Sequence, residues 1–175
     1  MSGVPPDVFT EGVGKTAPIF VWREGNPGQM QSRWGLRPSE PDGRPWSHVR
    51  AEGREFGVGE RCLVAANEFT ETTGSGSSRK RHRVSLITND AAFGIAAIWR
   101  RASRGWPDAH ALLTVPASAD VAPLNDRQPA VLRPDQWRAW LSGELPVEEL
   151  LRPWPRGSFQ VLSPRKGAAS DLFDF

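Results

Sequence analysis

Arg61-Cys62-Leu63-Val64-Ala65-Ala66-Asn67-Glu68-Phe69-Thr70-Glu71-Thr72 is the stretch on which the reading of this chain turns. Its first half carries a continuous apolar run, Cys62 to Ala66. Its second half alternates, with Phe69 set between the acids Glu68 and Glu71. An unbroken apolar run of this length reads as a buried strand, and alternation reads as a strand with one face toward solvent. Together they predict a core strand that bends toward a sheet surface. Glu71 then stands at the strand end, where a carboxylate can be held against a ligand.

Working outward, residues 1–15 are polar with scattered Gly and Pro, and no regular structure is expected there. Residues 16–22 read as a first strand, 24–28 as a turn, and 31–36 as a second strand carrying Trp34. Residues 37–47 are a loop. Residues 48–56, with Arg50-Ala51-Glu52 at the centre, fit either an extended segment or a helical turn. Beyond the opening stretch, Gly74-Ser75-Gly76-Ser77-Ser78 reads as a flexible tip, followed by the basic run Arg79-Lys80-Arg81-His82-Arg83. Strands are expected at 81–88, 93–100, 109–115, 127–133 and 158–163. Arg100, Arg101, Arg104 and Trp106 mark a basic, Trp-bearing loop. Pro134 opens a helix with Trp137, Trp140 and Leu141 at helical spacing, closed by Gly143. Pro146 opens a second, with Val147, Leu150 and Leu151, stopped by Pro153. The pattern gives about eight short strands and two or three short helices. The fold class is therefore mainly β (α+β), a curved sheet or partial barrel with helical caps. Residues 1–165 form one domain and 166–175 a tail.

The chain has 175 residues, with 17 glycines and 16 prolines, so loops should be many and helices short. Eight tryptophans and no tyrosine supply both core and stacking surface. Trp99, Trp137 and Trp140 read as core, whereas Trp34 suits stacking on a base. A formal net charge of +2 does not by itself imply a nucleic-acid partner; a basic face would have to come from clustering. The single cysteine, Cys62, excludes an intramolecular disulfide framework and a multi-cysteine zinc site, and its apolar strand marks it as a buried thiol. No cofactor or metal is expected. No apolar run approaches membrane length and no signal-peptide pattern is present, so a cytoplasmic protein without membrane contact is expected.

Four segments, taken in order, resemble the SRAP family of SOS-response-associated peptidases and abasic-site-processing proteins. Arg33-Trp34-Gly35-Leu36-Arg37-Pro38-Ser39 is similar to the family's RWGLxPSW. His48-Val49-Arg50-Ala51-Glu52 is similar to NARAE, and the opening stretch to RCLVPADGFYEW. Residues 114–129, continuing to Trp137-Arg138-Ala139-Trp140-Leu141, resemble TTxAN…HDRMPVIL…W..WL. The resemblance implies a β-rich fold with a basic cleft for single-stranded DNA and a bacterial, nucleoid-associated setting. It also implies an N-terminal cysteine that captures an abasic-site aldehyde as a thiazolidine, helped by a glutamate and a histidine, and an attributed autoproteolysis.

Matched by position, Glu71 stands for the family's glutamate, while Arg50, Arg127 and Thr114 keep family residues. The chain departs at three chemical positions. Ser2 replaces the nucleophilic cysteine, Asn125 replaces the histidine of HDRMP, and His48 replaces the asparagine of NARAE. The family tryptophan after PS is Glu40 here, with Trp46 nearby. A serine hydroxyl needs an adjacent base to act as a nucleophile, and an amide side chain cannot relay protons. If Met1 is removed, the α-amine of Ser2 could still form an imine with an aldehyde, with Glu71 as acid and base. His48 could restore an imidazole from the other side of the cleft.

Three functions follow. The first is a binder of single-stranded or abasic-site DNA that has lost stable crosslinking. The second is a lyase or N-terminal-serine hydrolase using Ser2 and Glu71. The third is a protein-interaction module. Trp34, Arg50, Thr114 and Arg127 are the candidate DNA contacts, although Arg50 and Arg127 also suit pairing with Glu52 or Asp126. The run Arg79 to Arg83 reads as a solvated loop, with phosphate contact as the alternative. The tail reads either as a disordered or packed end or as a docking motif: Asp171-Leu172-Phe173 resembles the end of sliding-clamp-binding peptides, and the acidic-Phe ending resembles single-stranded-DNA-binding protein tails.

Overall fold

The computed structural model describes residues 12–164. Ser2, most of the N-terminal stretch and the C-terminal tail lie outside the described residues. Eleven strands and two short α-helices are present among those described. They are β1 Thr16–Arg23, β2 Asn26–Trp34, β3 His48–Arg50, β4 Arg61–Ala66, β5 Phe69–Thr73, β6 Lys80–Leu86, β7 Phe93–Arg100, β8 Ala109–Pro116, β9 Arg127–Pro129, β10 Val131–Leu132, α1 Pro134–Ser142, α2 Val147–Leu150 and β11 Phe159–Leu162.

The expected curved, mainly β architecture is what forms. Hydrogen bonding runs β7-β4-β1-β2-β8 and returns from β8 to β7, closing a ring. Strands β3 and β9 extend it from β8, and β10 extends it from β7. A second, three-stranded sheet has the order β11-β6-β5. Strand β4 is buried at every position, as its apolar run requires, because β1 and β7 cover its two edges. Alternate residues then serve two cores. Leu63 joins Trp140, Leu141, Leu150 and Ile98 beneath the helices. Cys62, Val64 and Ala66 join Ile19, Val21, Ile95, Phe69 and Phe159 on the opposite face, beside the second sheet.

The opening stretch breaks at Asn67-Glu68, so its two halves belong to different sheets. Burial drives the first half into the ring, while the alternating half pairs with β6 and turns Phe69 and Glu71 inward. Four other boundaries differ from expectation. Residues 48–56 hold a three-residue strand followed by a turn. The β1–β2 turn is confined to Glu24 and Gly25, both at positive φ, the geometry that fits a two-residue hairpin. The strand expected at 81–88 starts at Lys80 and ends at Leu86, so all of the basic run except Arg79 lies in β6, paired with β5. The expected strand over 127–133 divides at Ala130, β9 pairing with β8 and β10 with β7.

The core also contains charge and polar groups that must be satisfied. Arg61 is buried and donates to the carbonyls of Phe56 (3.0 Å) and Trp140 (3.2 Å). Its guanidinium lies 4.7 Å from the Trp140 ring centroid, and the Trp140 indole donates to the Cys62 carbonyl at 2.8 Å. This ties α1 to β4 through polar contacts as well as packing. His110, on β8, is 2% exposed and shares a 3.0 Å hydrogen bond with Ser32. Burial pushes its pKa from 6.5 down to about 4.

The pH dependence of stability follows from that depression. Above pH 6.5 the ring is neutral folded or unfolded, and no cost arises. As pH falls from 6.5 toward 4, the unfolded chain takes up a proton that the folded core refuses, so stability is lost across that window. Urea denaturation from pH 7 to pH 4 should show this decline, and His110→Gln should flatten it by up to roughly 3 kcal/mol. An unchanged slope in the variant would contradict the assignment.

Candidate nucleic-acid cleft

A cavity of about 870 Å³ opens between β3, the first half of β6, the end of β5 and the segment leading into β9. Each wall residue is placed by strand alternation. Val49 of β3 is buried, which turns His48 and Arg50 to the cavity side. Parallel pairing with β8 sets Arg50 opposite Thr114, which also lines the cavity. Trp34 enters from the end of β2, Glu71 from β5, and Asn125 and Arg127 from the start of β9. The seven expected site residues within the described chain therefore meet at one place. Ser2 lies outside the described residues. The described chain begins at Gly12, which with Val13 forms part of the cavity wall.

Glu71 is 9% exposed. Asn125 Nδ2 donates to Glu71 Oε2 at 3.0 Å, and Asn125 Oδ1 accepts from the Arg127 amide at 3.2 Å. The second bond orients the amide so that its NH2 group faces the carboxylate. Burial pushes the Glu71 carboxyl above its ordinary value, and the Asn125 donor offsets part of the rise. Across the ladder from Glu71 stands His82, also buried, with Nε2 2.7 Å from Thr73 Oγ1 and Nδ1 2.9 Å from Ser163 Oγ. Both ring nitrogens of His82 are thus engaged by hydroxyls.

His48 faces Glu71 from the other sheet. Its Nδ1 is 2.9 Å from Ser47 Oγ, and its ring meets Trp34 edge-on with centroids 5.7 Å apart. The residue is exposed at the cavity, and partial desolvation of the ring lowers its pKa. The lowered pKa favours the neutral imidazole, and among the described residues its Nε2 makes no hydrogen bond. Trp34 donates its indole N–H to the Ser47 carbonyl at 3.0 Å, which fixes the ring as a wall.

Arg127 is committed to structure. Its guanidinium forms a forked ion pair with Glu52 and donates from Nη2 to the Thr114 carbonyl (2.7 Å) and Oγ1 (3.1 Å). Beside that guanidinium the Glu52 carboxyl is held down at about 2. The pairing with Glu52 considered from sequence is the one that forms. It locks the turn after β3 to the β8–β9 hairpin and so fixes the cavity's shape. Arg50, Arg79 and Arg81 also line the cavity, and none of them forms an ion pair among the described residues. The solvated-loop reading of the basic run fits Arg79, which precedes β6, whereas Arg81 lies in the strand expected from residue 81, with His82, Val84 and Leu86 on its buried face. Arg83, by contrast, pairs with Glu68.

Among the described residues no cluster of three His, Cys, Asp or Glu side chains is placed to hold a metal. Cys62 is fully buried, and burial pushes its thiol pKa up. No described helix is long and apolar enough to cross a membrane.

The family model described as SOS response associated peptidase (SRAP) matches residues 13–163. The chain belongs to the SRAP family. Comparison with curated proteins returned no match. Among solved structures, a protein from Bacteroides thetaiotaomicron superposes with a TM-score of 0.66 at 17% identity, covering 87% of this chain and 75% of its own. A protein from Bordetella bronchiseptica gives 0.65 at 19% identity, covering 87% of this chain and 85% of its own. A phage-related protein from the same organism gives 0.65 at 19%, covering 87% and 79%. At these identities the likeness establishes the SRAP fold alone. The family name associates the chain with the DNA damage response.

The Glu71–Asn125 geometry of this SRAP chain has a direct test. Carbon-13 NMR titration of the side-chain carboxyls should find Glu71 titrating above the ordinary glutamate range. Asn125→Ala should move it higher still, because the donor that favours the carboxylate is removed while burial remains. A downward shift in the variant would contradict the described hydrogen bond.

Proposed function

We propose that this SRAP protein binds single-stranded DNA, abasic-site DNA included, in the Trp34–Arg50–Glu71 cavity without forming a stable crosslink. The observation that carries the proposal is the charge of the wall. Arg50, Arg79 and Arg81, which form no ion pair among the described residues, line a space whose one described lining carboxylate, Glu71, has its ionisation disfavoured by burial. Such a wall attracts phosphates, and Trp34 offers a ring for a base or for the gap left by a missing one. Arg127 and Thr114 contribute by holding the cavity's shape. The missing crosslink follows from chemistry: Ser2 carries a hydroxyl in place of a thiol, and Asn125 holds Glu71 without relaying a proton.

Fluorescence anisotropy with labelled oligonucleotides tests the binding. For three phosphate contacts on a single strand, the slope of log K against log salt should be roughly −2. Arg50→Ala, Arg79→Ala and Arg81→Ala should each weaken binding and each flatten that slope by about 0.7. Absent or salt-independent binding would overturn the proposal and leave the protein-interaction reading.

A second reading has its own support: a carboxyl with a raised pKa and a neutral imidazole face the same cavity. On this reading removal of Met1 frees the Ser2 α-amine, which adds to the C1′ aldehyde of a ring-opened abasic site. Loss of water, with Glu71 supplying the proton to the leaving oxygen, gives an imine. Neutral His48 then takes the C2′ proton, and the electron pair expels the 3′ phosphate by β-elimination. Hydrolysis returns the amine. Mass spectrometry after borohydride treatment decides the matter. A borohydride-dependent adduct on the N-terminal peptide, lost when the α-amine is acetylated, establishes this lyase. Binding with no adduct supports the non-covalent reading.

A further inference from the structure

A second cavity, of about 610 Å³, lies behind the first. The two share strand β3, which ends the order of the large sheet. His48 and Arg50 face the first cavity, and Val49 between them lines the second. No motif considered above gives this second space a role, yet its wall has a definite chemical character. Arg37, Arg54, Arg100 and Arg101 line it, against Glu55 and Glu60. Arg100 is paired with Glu60, whereas Arg37 and Arg54 make no ion pair or side-chain hydrogen bond among the described residues. The surplus is cationic.

Trp46 supplies a flat apolar surface at the mouth. It is 49% exposed, the largest side chain among the exposed hydrophobic residues described. Its exposure is not slackness. Trp46 and Leu36 exchange backbone hydrogen bonds of 3.0 Å in both directions, so the residue is pinned to the start of the loop it ends. Gly35 permits this closure: its φ is 120°, and a Cβ there would lie 2.8 Å from Pro45 Cβ. An indole held by its backbone and left open to solvent is a preorganised stacking platform, which loses little conformational freedom when a ring settles on it.

We infer that this second cavity takes an unpaired base of the same single strand, stacked on Trp46, with adjacent phosphates on Arg37 and Arg54. The inference rests on the reading of the first cavity as a single-stranded DNA site and extends it around the edge strand. A strand engaged at His48 and Arg50 crosses the edge of the sheet at β3 and continues onto the opposite face. Base–aromatic stacking tolerates any sequence, so the second cavity adds affinity and length dependence, not base preference.

Anisotropy with oligothymidylates of about 4 and about 12 nucleotides tests this, since the shorter strand fills one site only. Trp46→Ala should weaken the longer strand by roughly tenfold and leave the shorter within about twofold, the scale expected for one lost stack. Trp46→Phe should restore the longer strand, and Arg54→Ala should reproduce the length-selective loss. Because Trp46 is exposed, these variants are expected to fold, and circular dichroism checks it. Unchanged binding of the longer strand, or equal loss for both lengths, overturns the inference. Arg81→Ala distinguishes the parent reading: it should weaken both lengths. If Trp46→Ala acts on the longer strand while Arg81→Ala acts on neither, the first-cavity reading fails and the second cavity stands as a site by itself.

Discussion

Strand β8 is hydrogen-bonded along both edges to four other strands, and the whole arrangement depends on that double commitment. On one edge it pairs with β2 at Ala109 and His110 and then with β3 from Leu112 to Thr114. On the other it pairs with β7 from Ala109 to Leu112 and then with β9 from Thr114 to Pro116. The first half of the strand closes the ring. The second half leaves it and carries one wall strand of the cleft on each side. Trp34, His48, Arg50, Thr114 and Arg127 therefore take their positions from one strand, β8, and the pairings on its two edges, and Glu71 comes to meet them from the second sheet.

That geometry sets the electrostatics. The forked Arg127–Glu52 pair spends the cleft's best-anchored guanidinium on holding two turns together. The remaining cations of the wall are the more exposed Arg50, Arg79 and Arg81, which form no ion pair among the described residues. Glu71 sits deeper, and burial works against its charge. A cavity of this composition attracts an anion while keeping a protonatable carboxyl at its floor. Relative to the SRAP motifs, the imidazole and carboxamide have exchanged sides: Asn125 orients Glu71, and His48 presents a neutral ring across the space. The carboxamide can hold the carboxyl in place, but only the imidazole can move a proton.

Much of this was legible in the chain itself. The apolar run from Cys62 to Ala66 announced a strand buried on both faces, and Trp137, Trp140 and Leu141 announced a helix packed by one side. The motif resemblance nominates the seven residues that line the cleft, but does not show that they converge there. What local pattern could not carry was partner exchange. Nothing in the sequence from Arg127 to Leu132 marks Ala130 as the residue where pairing passes from β8 to β7, because apolar side chains continue across the switch. Residues 48–50 were undecidable for a related reason: a three-residue strand has too few positions to show a period, and pairing with β8 makes it a strand. The basic run carries two readings, a solvated loop after the Gly/Ser tip and a strand from residue 81; pairing with β5 and β11 decides for the strand from Lys80 onward and leaves Arg79 outside it.

The central claim is that nucleic acid lies against the cleft between β3 and β6. Photocrosslinking places it most directly. A single-stranded oligonucleotide carrying 4-thiothymidine is irradiated with the protein, and the joined peptides are identified by mass spectrometry. Adducts should fall on peptides containing Trp34, His48 or Arg81 and should fade as salt rises. Adducts confined to the helical face around Trp137 and Leu141, or none at all, would contradict the account.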